Sequence, residues 1–254
     1  MVIAPQSNYD AHVLVDGFPG RSSSHGSFGW SSVHLLVDGY RRVLVETGPP
    51  AYIPLITVGL ARYGLSRTDI TDVLVTHAHW DHLGNIAMFP QARVWMGPDE
   101  IEWARGLPLD EPFISHPHLR ELERRGIEPA VDGDEILPGV VAIGTPGHTP
   151  GHVAYLARTS EGPTIFAGDA VKNLYELATG DVDSTLDRQA STVSVGRLRE
   201  YMTDHGATLV AGHDVPLAIR NGTVVRMRPQ RARITFVANA ESSGVDSSIS
   251  DGDP

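Results

Sequence analysis

The sequence predicts an α/β protein that forms one domain over residues 1–240. Short apolar runs fall into two groups along the chain, and segments with helical periodicity follow each group. No long linker separates the two groups. The chain of 254 residues is long enough for a sizeable core, so we expect both groups of strands to belong to the same domain.

Apolar runs, together with Gly, Pro and capping residues, place the individual elements. The first half contains, in order, strands at 12–15, 33–37 and 43–45, a helix over 50–63, a strand at 73–75, a short helix over 83–89, a strand at 93–96, a helix over 98–105, an irregular insertion over 106–118 and a helix over 119–125. The second half contains strands at 140–143, 152–157 and 164–167, a helix over 183–205 capped by Asp183 or Ser184, a strand at 208–211 and a hairpin over 216–227. Residues 241–254, rich in Ser, Gly and Asp, are predicted to form a disordered acidic tail.

The composition is typical of a folded globular protein. Hydrophobic residues make up 41% and charged residues 20%, and no apolar run approaches the roughly 20 residues that a membrane helix needs. The N-terminus lacks a basic region followed by an apolar stretch, so we expect no secretory signal, no membrane partner and a cytoplasmic location. The net charge of −11 disfavours nucleic acid as a partner, because its binding depends on neutralising phosphates. A homo-oligomer is left open.

A cluster of imidazoles and a carboxylate follows directly on the strand at 73–75. The segment reads Thr76-His77-Ala78-His79-Trp80-Asp81-His82. Such groups are costly to bury unless a metal ion compensates them; the alternative is a turn with surface histidines. On an extended chain His77 and His79 point the same way and can hold one ion, whereas the turn that follows directs Asp81 and His82 towards a second ion. Because cysteine is absent, any metal must be held by nitrogen and oxygen donors.

Three further segments each place a histidine or an aspartate beside a glycine. They read Thr145-Pro146-Gly147-His148, Phe166-Ala167-Gly168-Asp169 and Ala211-Gly212-His213-Asp214. Together with the His-x-His-x-Asp-His segment they resemble the metallo-β-lactamase superfamily over about residues 30–215. The resemblance implies a four-layer αβ/βα sandwich, in which two sheets face each other and helices cover their outer faces.

The resemblance also implies the ligands of a dinuclear metal site. The first ion would be bound by His77, His79 and His148, the second by Asp81, His82 and His213, and both would be bridged by Asp169. These donors favour Zn2+, with Mn2+ or Fe2+ also compatible. A hydroxide held between two such ions would attack a carbonyl or phosphoryl group. We therefore expect a metal-dependent hydrolase of a small ester, lactone or related substrate.

Two residues are candidates for a catalytic role beside the metals, Asp81 and Lys172. Lys172 is the only lysine in the chain and follows Asp169 by three residues, an offset at which the related lactonases carry a tyrosine. We expect its ammonium to face the cleft and meet the substrate; the alternative is an exposed lysine that only solubilises the loop. Tyr175 and the aromatic loop at 17–30 are further candidates for substrate contact.

Two other residues are expected to support the site without binding a metal. His152 lies in a predicted strand and is expected in the core or behind a ligand. Glu46 stands where many relatives carry an aspartate, and the resemblance implies a position behind the metal site.

The scaffold leaves other reactions open, because a fold does not name a substrate. One alternative is a thioesterase of the glyoxalase II kind, which would need basic residues for glutathione. Others are hydrolases of β-lactams, phosphodiesters or activated aryl ethers. An oxidoreductase is disfavoured because no flavodoxin-like domain follows residue 215, and a non-catalytic metal-binding protein is disfavoured by the complete ligand set.

Overall fold

The computed structural model describes residues 8–24, 26–235 and 246–249. The helices are α1 Ile53–Ala61, α2 Trp80–Leu83, α3 Pro98–Arg105, α4 His116–Arg125, α5 Leu174–Thr179 and α6 Arg188–His205. The strands are β1 Asp10–Val15, β2 Arg21–Ser22, β3 Gly26–Ser27, β4 Val33–Asp38, β5 Arg41–Val45, β6 Asp72–Leu74, β7 Arg93–Met96, β8 Glu128–Pro129, β9 Glu135–Leu137, β10 Val140–Gly144, β11 Val153–Thr159, β12 Gly162–Gly168, β13 Thr208–Ala211, β14 Leu217–Arg220, β15 Thr223–Arg226, β16 Ala232–Thr235 and β17 Asp246–Ile249.

Two mixed sheets carry the fold. The first has the strand order β1-β4-β5-β6-β7-β8, with antiparallel pairs from β1 to β5 and parallel pairs from β5 to β8. The second has the order β15-β14-β13-β12-β11-β10-β9, in which β12 and β13 run parallel. Parallel neighbouring strands end at the same edge of a sheet. The segments that follow β12 and β13 therefore leave the second sheet at one edge, and the segment that follows β6 leaves the first sheet at the edge where β5 and β7 also end.

Side chains from both sheets share one apolar layer. Leu36, Leu74 and Trp95 of the first sheet lie in one cluster with Tyr155 and Phe166 of the second. A separate cluster packs the first sheet against α1, α3 and α4, and another packs the second sheet against α5 and α6. The order of layers is therefore helices, sheet, sheet, helices, which confirms the predicted four-layer αβ/βα sandwich.

The strand that leads to the metal segment is covered on both faces. Val73 and Val75 belong to the cluster under the helices, whereas Leu74 belongs to the layer between the sheets. Successive side chains of a strand point to opposite faces, so burial of both faces requires an unbroken apolar run. The chain is still buried at Thr76, where the polar segment begins.

Three helix boundaries in the first half differ from the prediction. α2 begins at Trp80, so Asp81 and His82 lie in its first turn, and the helix predicted over 83–89 is reduced to a 3-10 turn at Ile86–Met88. α4 begins at His116 with a proline in its first turn, so the end of the predicted irregular insertion is helical. The helix predicted over 50–63 consists of the 3-10 turn Pro50–Tyr52 followed by α1.

The helix predicted over 183–205 begins later than expected. The Asp187 side chain accepts a hydrogen bond from the Ala190 N–H at the start of α6, so the predicted caps Asp183 and Ser184 are wrong. The short helix α5 was not predicted; it is capped by Asn173 and ends before Gly180, which is in the left-handed conformation. Six residues are too few for a clear periodic signal.

The predicted disordered tail contains a short strand. β17, Asp246–Ile249, pairs antiparallel with β16, and the disordered tail over 241–254 stays a prediction. Residues 241–245 and 250–254 of the tail lie outside the described residues, and the boundary of the single domain at residue 240 stays a prediction. Within the described ranges, no helix is both long enough and apolar enough to cross a membrane.

Candidate metal centre

The segments that carry the predicted ligands meet at one edge of the facing sheets. His77 follows β6, whereas Asp169 and His213 follow the parallel neighbours β12 and β13. His148 lies in the connection between β10 and β11. The possible ligand atoms of all four segments come close enough together to bind a metal ion in common.

Three imidazoles form the first group. One ligand atom from each of His77, His79 and His148 lies within 4.8 Å of the others. The Nδ1–H of His148 donates to the Ser184 carbonyl at 2.9 Å, which leaves Nε2 facing His79 Nδ1 at 3.0 Å. His77 Nδ1 lies 3.0 Å from the Thr76 hydroxyl, so its Nε2 is the nitrogen left over. Metal-binding histidines commonly use their second ring nitrogen in this way.

Asp81, His82 and His213 form the second group, again within 4.8 Å of one another. Asp81 Oδ2 lies 3.5 Å from His213 Nε2 and 3.8 Å from His82 Nε2. The Ser31 hydroxyl donates to the Asp81 carbonyl at 2.5 Å and holds the first turn of α2 in place. The second group therefore combines two imidazoles with a carboxylate.

Asp169 lies between the two groups. Its Oδ1 is 3.2 Å from Nε2 of both His82 and His213, and its Oδ2 is 3.4 Å from His148 Nε2. The backbone at Gly212 approaches so closely that an added Cβ would lie 2.2 Å from Asp169 Oδ1. One carboxylate thus reaches both groups, which is the position that a bridging ligand requires.

Several of these donor atoms lack a partner in the part of the chain that the structure describes. His77 Nε2, His82 Nε2 and Asp169 Oδ1 are buried and make no hydrogen bond. Buried polar atoms are almost always partnered, because an orphaned one costs free energy. Cations at the two groups would supply the missing partners, and imidazole and carboxylate are suitable donors for Zn2+, Mn2+ or Fe2+. The residues present therefore fit two divalent ions.

Burial lowers the pKa of every imidazole in the first group. It is the largest cause for His77, His79 and His148, and it brings the pKa of His79 to about 4. An imidazole with a low pKa is neutral near pH 7, so its lone pair is available to a metal ion. The three imidazoles of the first group therefore favour their neutral form, which can bind a cation.

Asp169 has the opposite effect on two imidazoles. Burial alone would lower the pKa of His82 and His213, but neighbouring carboxylates, chiefly Asp169, outweigh it and raise the pKa of both. Burial alone would raise the pKa of Asp169, but these imidazoles hold it well below its usual value. Asp169 therefore favours the protonated form of these two imidazoles, and a metal ion that binds them would have to displace the protons.

Two buried side chains support the ligands from behind. His152 Nε2 accepts a hydrogen bond from the Asp169 N–H at 3.2 Å, which agrees with the expectation that it supports a ligand. Glu46 Oε1 accepts from the Thr76 N–H at 3.1 Å, and its Oε2 lies 3.5 Å from His82 Nδ1. Both contacts fix the backbone or the ring of a residue in the predicted ligand segments.

Lys172 lies beside the centre but has a partner in its own segment. Its Nζ is 2.9 Å from Glu176 Oε1, and its side chain is 14% exposed. Its charge adds to burial in lowering the pKa of His79 and His148. Glu176 belongs to α5, which has no periodic signal in the sequence, so the pair was not predicted. Contact between Lys172 and a substrate stays a prediction.

The other candidates for substrate contact have partners as well. The Tyr175 hydroxyl donates to Asp181 at 3.1 Å. In the 17–30 loop the Phe18 N–H donates to the Trp30 carbonyl at 2.9 Å, and the ring of Phe28 lies 4.5 Å from that of Trp30. The aromatic side chains of this loop therefore pack against one another.

Three residues near the first group were not singled out from the sequence. The ring centroid of Phe113 lies 5.6 Å from that of His79, and Trp103 lies 6.3 Å from it. Glu100 is fully buried, and burial raises its pKa to about 7. An acidic residue in the first turn of a helix is common at the surface, so the sequence gives no sign of this burial.

Comparisons with known proteins agree with this geometry. Residues 28–213 match the family described as the metallo-beta-lactamase superfamily. The metallo-beta-lactamase domain-containing protein 1 of Xenopus laevis is 30% identical over 216 residues, which cover 85% of this chain and 84% of that protein. The chain therefore belongs to the metallo-β-lactamase superfamily, and it is a metal-dependent hydrolase.

Lactonases stand among its relatives. The N-acyl homoserine lactonase AttM of Agrobacterium fabrum is 29% identical over 206 residues, which cover 71% of this chain and 77% of that protein. The solved structure of AidC, a dizinc quorum-quenching lactonase, superimposes with a TM-score of 0.69 at 16% identity, covering 89% of this chain and 99% of AidC. At that identity the superposition shows a shared fold.

Proposed function

We propose that this chain hydrolyses the ester bond of a lactone, or of a related small carbonyl compound with an apolar group, at a centre of two divalent cations. The observation that carries the proposal is the position of Asp169, whose two oxygens reach both groups of predicted ligands. One ion would be held by His77, His79 and His148, the other by Asp81, His82 and His213, and both by Asp169. Zn2+ is the ion that we favour for these donors, with Mn2+ or Fe2+ as alternatives.

The chain's own residues prepare the site for this reaction. When bound, the two ions would lower the pKa of an attacking water and polarise the substrate carbonyl. Asp81 is the proposed catalytic carboxylate, because its Oδ2 lies at the centre and could accept a proton from that water. Lys172 is proposed to meet charge that develops on the substrate, with its ammonium oriented by Glu176.

Apolar side chains beside the ligands favour a substrate with an apolar group. Phe113 is 55% exposed although its ring lies next to His79. Leu186 is 63% exposed, and its N–H donates to the His148 carbonyl at 3.4 Å. The named lactonase relatives act on N-acyl homoserine lactones, which carry such a group. A glutathione thioester would instead need basic residues at the site.

The test combines metal content with a substrate panel. We expect about two ions per chain by elemental analysis after expression with Zn2+, and turnover of lactones or aryl esters in preference to a glutathione thioester, a β-lactam, a phosphodiester or an activated aryl ether. One ion per chain, or none, would refute the dinuclear centre. A protein that binds two ions but turns over no lactone or ester would refute the proposed substrate class without contradicting the dinuclear centre.

A pair of variants tests the apolar contact. Phe113→Ser should raise KM for a long-chain acyl lactone more than for a short-chain one. Leu109→Ser is the matched control, because Leu109 is an exposed apolar residue of the same insertion. Equal effects of the two variants on KM would contradict a role of Phe113 in binding. The cytoplasmic location and the absence of a nucleic-acid partner stay predictions from the sequence, and a homo-oligomer stays open.

A further inference from the structure

Glu100 lies fully buried behind the first group of imidazoles, in the first turn of α3. Its Oε1 accepts a hydrogen bond from the Ala78 N–H at 2.8 Å, and its Oε2 accepts one from the Gly151 N–H at 3.2 Å. Ala78 stands between His77 and His79, and Gly151 stands in the connection between β10 and β11 that also carries His148. A single carboxylate therefore joins the two loops that carry the three imidazoles.

The packing around this carboxylate leaves little room for the loops to shift. A Cβ added at Gly151 would lie 2.0 Å from the Glu100 nitrogen, and one added at Gly97 would lie 2.1 Å from the Gly151 carbonyl oxygen. The backbone of the His148 loop thus rests directly on the start of α3. The two hydrogen bonds of Glu100 set where this loop lies relative to the segment after β6.

The second group of ligands is held by other contacts. Ser31 donates to the carbonyl of Asp81, and the His213 N–H donates to the Lys172 carbonyl at 2.9 Å. A substitution at Glu100 should therefore displace the first group of ligands more than the second group. This separation makes the role of Glu100 measurable.

We propose that Glu100 is a positioning residue that sets the spacing of His77, His79 and His148 and so the affinity of the first cation position. The proposal rests on the proposed two-cation function. This role requires a side chain as long as glutamate with two oxygens that accept hydrogen bonds, one from Ala78 and one from Gly151. Glutamine would turn an amide donor towards one of the two N–H groups, and aspartate is too short to reach both loops.

The test measures two metal affinities by competition with a chromophoric chelator in the full-length, Zn2+-loaded protein. Glu100→Gln should weaken one ion by about 10- to 100-fold, as is typical when a group behind a ligand is removed, and leave the other unchanged. Glu100→Asp, which keeps the charge, should show the same selectivity to a smaller degree and serves if the first variant does not fold. Asp72→Asn is the matched control, because Asp72 is a buried carboxylate at the start of β6 that accepts from Trp95 Nε1 at 3.0 Å. It should lower stability without changing either affinity.

The outcomes separate this proposal from the function on which it rests. A wild-type protein that does not bind two ions would overturn both. Wild-type binding of two ions, with both affinities unchanged or equally weakened in Glu100→Gln, would overturn the role of Glu100 alone. In a His148→Ala background, which lacks the first position, Glu100→Gln should have no further effect on the remaining ion; an additional loss would also overturn the proposal.

Discussion

The metal-free protein should lose stability relative to its Glu100→Gln variant as the pH rises. Burial raises the pKa of Glu100 from its ordinary value of 4.5 to about 7, although the Ala78 N–H bond opposes the change. The folded state therefore favours the protonated carboxyl group. The resulting contribution to stability is present below the unfolded pKa of 4.5 and is lost as the pH rises through about 7.

The two pKa values give the size of the effect. One pKa unit corresponds to about 1.4 kcal/mol. The change from 4.5 to about 7 thus corresponds to about 3 kcal/mol of unfolding free energy, most of which should be lost between about pH 5 and about pH 8. Glu100 is fully buried, so solvent does not screen this contribution.

Urea unfolding of both proteins, stripped of metal and followed by circular dichroism across this pH range, measures the effect. Subtracting the two free energies removes the contribution of the histidines, which both proteins share. The difference, wild type minus variant, should fall by about 3 kcal/mol with rising pH. Parallel curves would refute the reasoning, because they would mean that the two N–H donors stabilise the ionised carboxylate as much as burial destabilises it.

Four further single substitutions and one double variant test the centre. Asp169→Asn should abolish most of the activity and weaken the binding of both ions, because the Asp169 carboxylate reaches both groups. His152→Ala should lower metal affinity only about 10- to 100-fold, because His152 contacts the Asp169 N–H and no metal position. Comparable losses in the two variants would show that the bridge is misassigned. Lys172→Met should lower kcat about 100-fold with little change in KM in steady-state assays. Because this change also removes the ammonium beside the buried carboxylate of Glu176, the double variant Lys172→Met/Glu176→Gln is the control, and recovery of wild-type kcat in it would rule out a catalytic lysine. Gly168→Ala should lower the thermal midpoint and the metal content, because φ is 49° there and an added Cβ would lie 2.3 Å from a neighbouring hydroxyl; an unchanged melt would contradict this.

The placement of His77 and His79 beside each other could be predicted because its signal is local. His77 and His79 are two residues apart after a strand that is buried on both faces, so their orientation follows from the period of an extended chain. The same period places Val73 and Val75 in the cluster under the helices and Leu74 in the layer between the sheets. Such features depend on neighbours within a few residues, and those neighbours are visible in the sequence.

The start of α6 could not be predicted, because distant residues decide it. Asp183 and Asp187 are equally suitable caps by residue type. The structure holds the residues before Arg188 outside the helix, since the Leu186 N–H donates to the His148 carbonyl and the Asp187 N–H donates to the Gly147 carbonyl. The loop that carries a predicted ligand therefore determines where the helix begins.

Residue type and short spacing are enough to predict the longer strands of the two sheets, the order of the predicted ligand segments and the restriction to nitrogen and oxygen donors. They do not predict the partners of the buried charges, which depend on the tertiary structure. Glu100 accepts from N–H groups that lie 22 and 51 residues away along the chain, and Lys172 pairs with a residue of a helix too short to predict. A buried carboxylate is stable only where donors converge on it, and convergence of distant segments leaves no periodic pattern in a sequence.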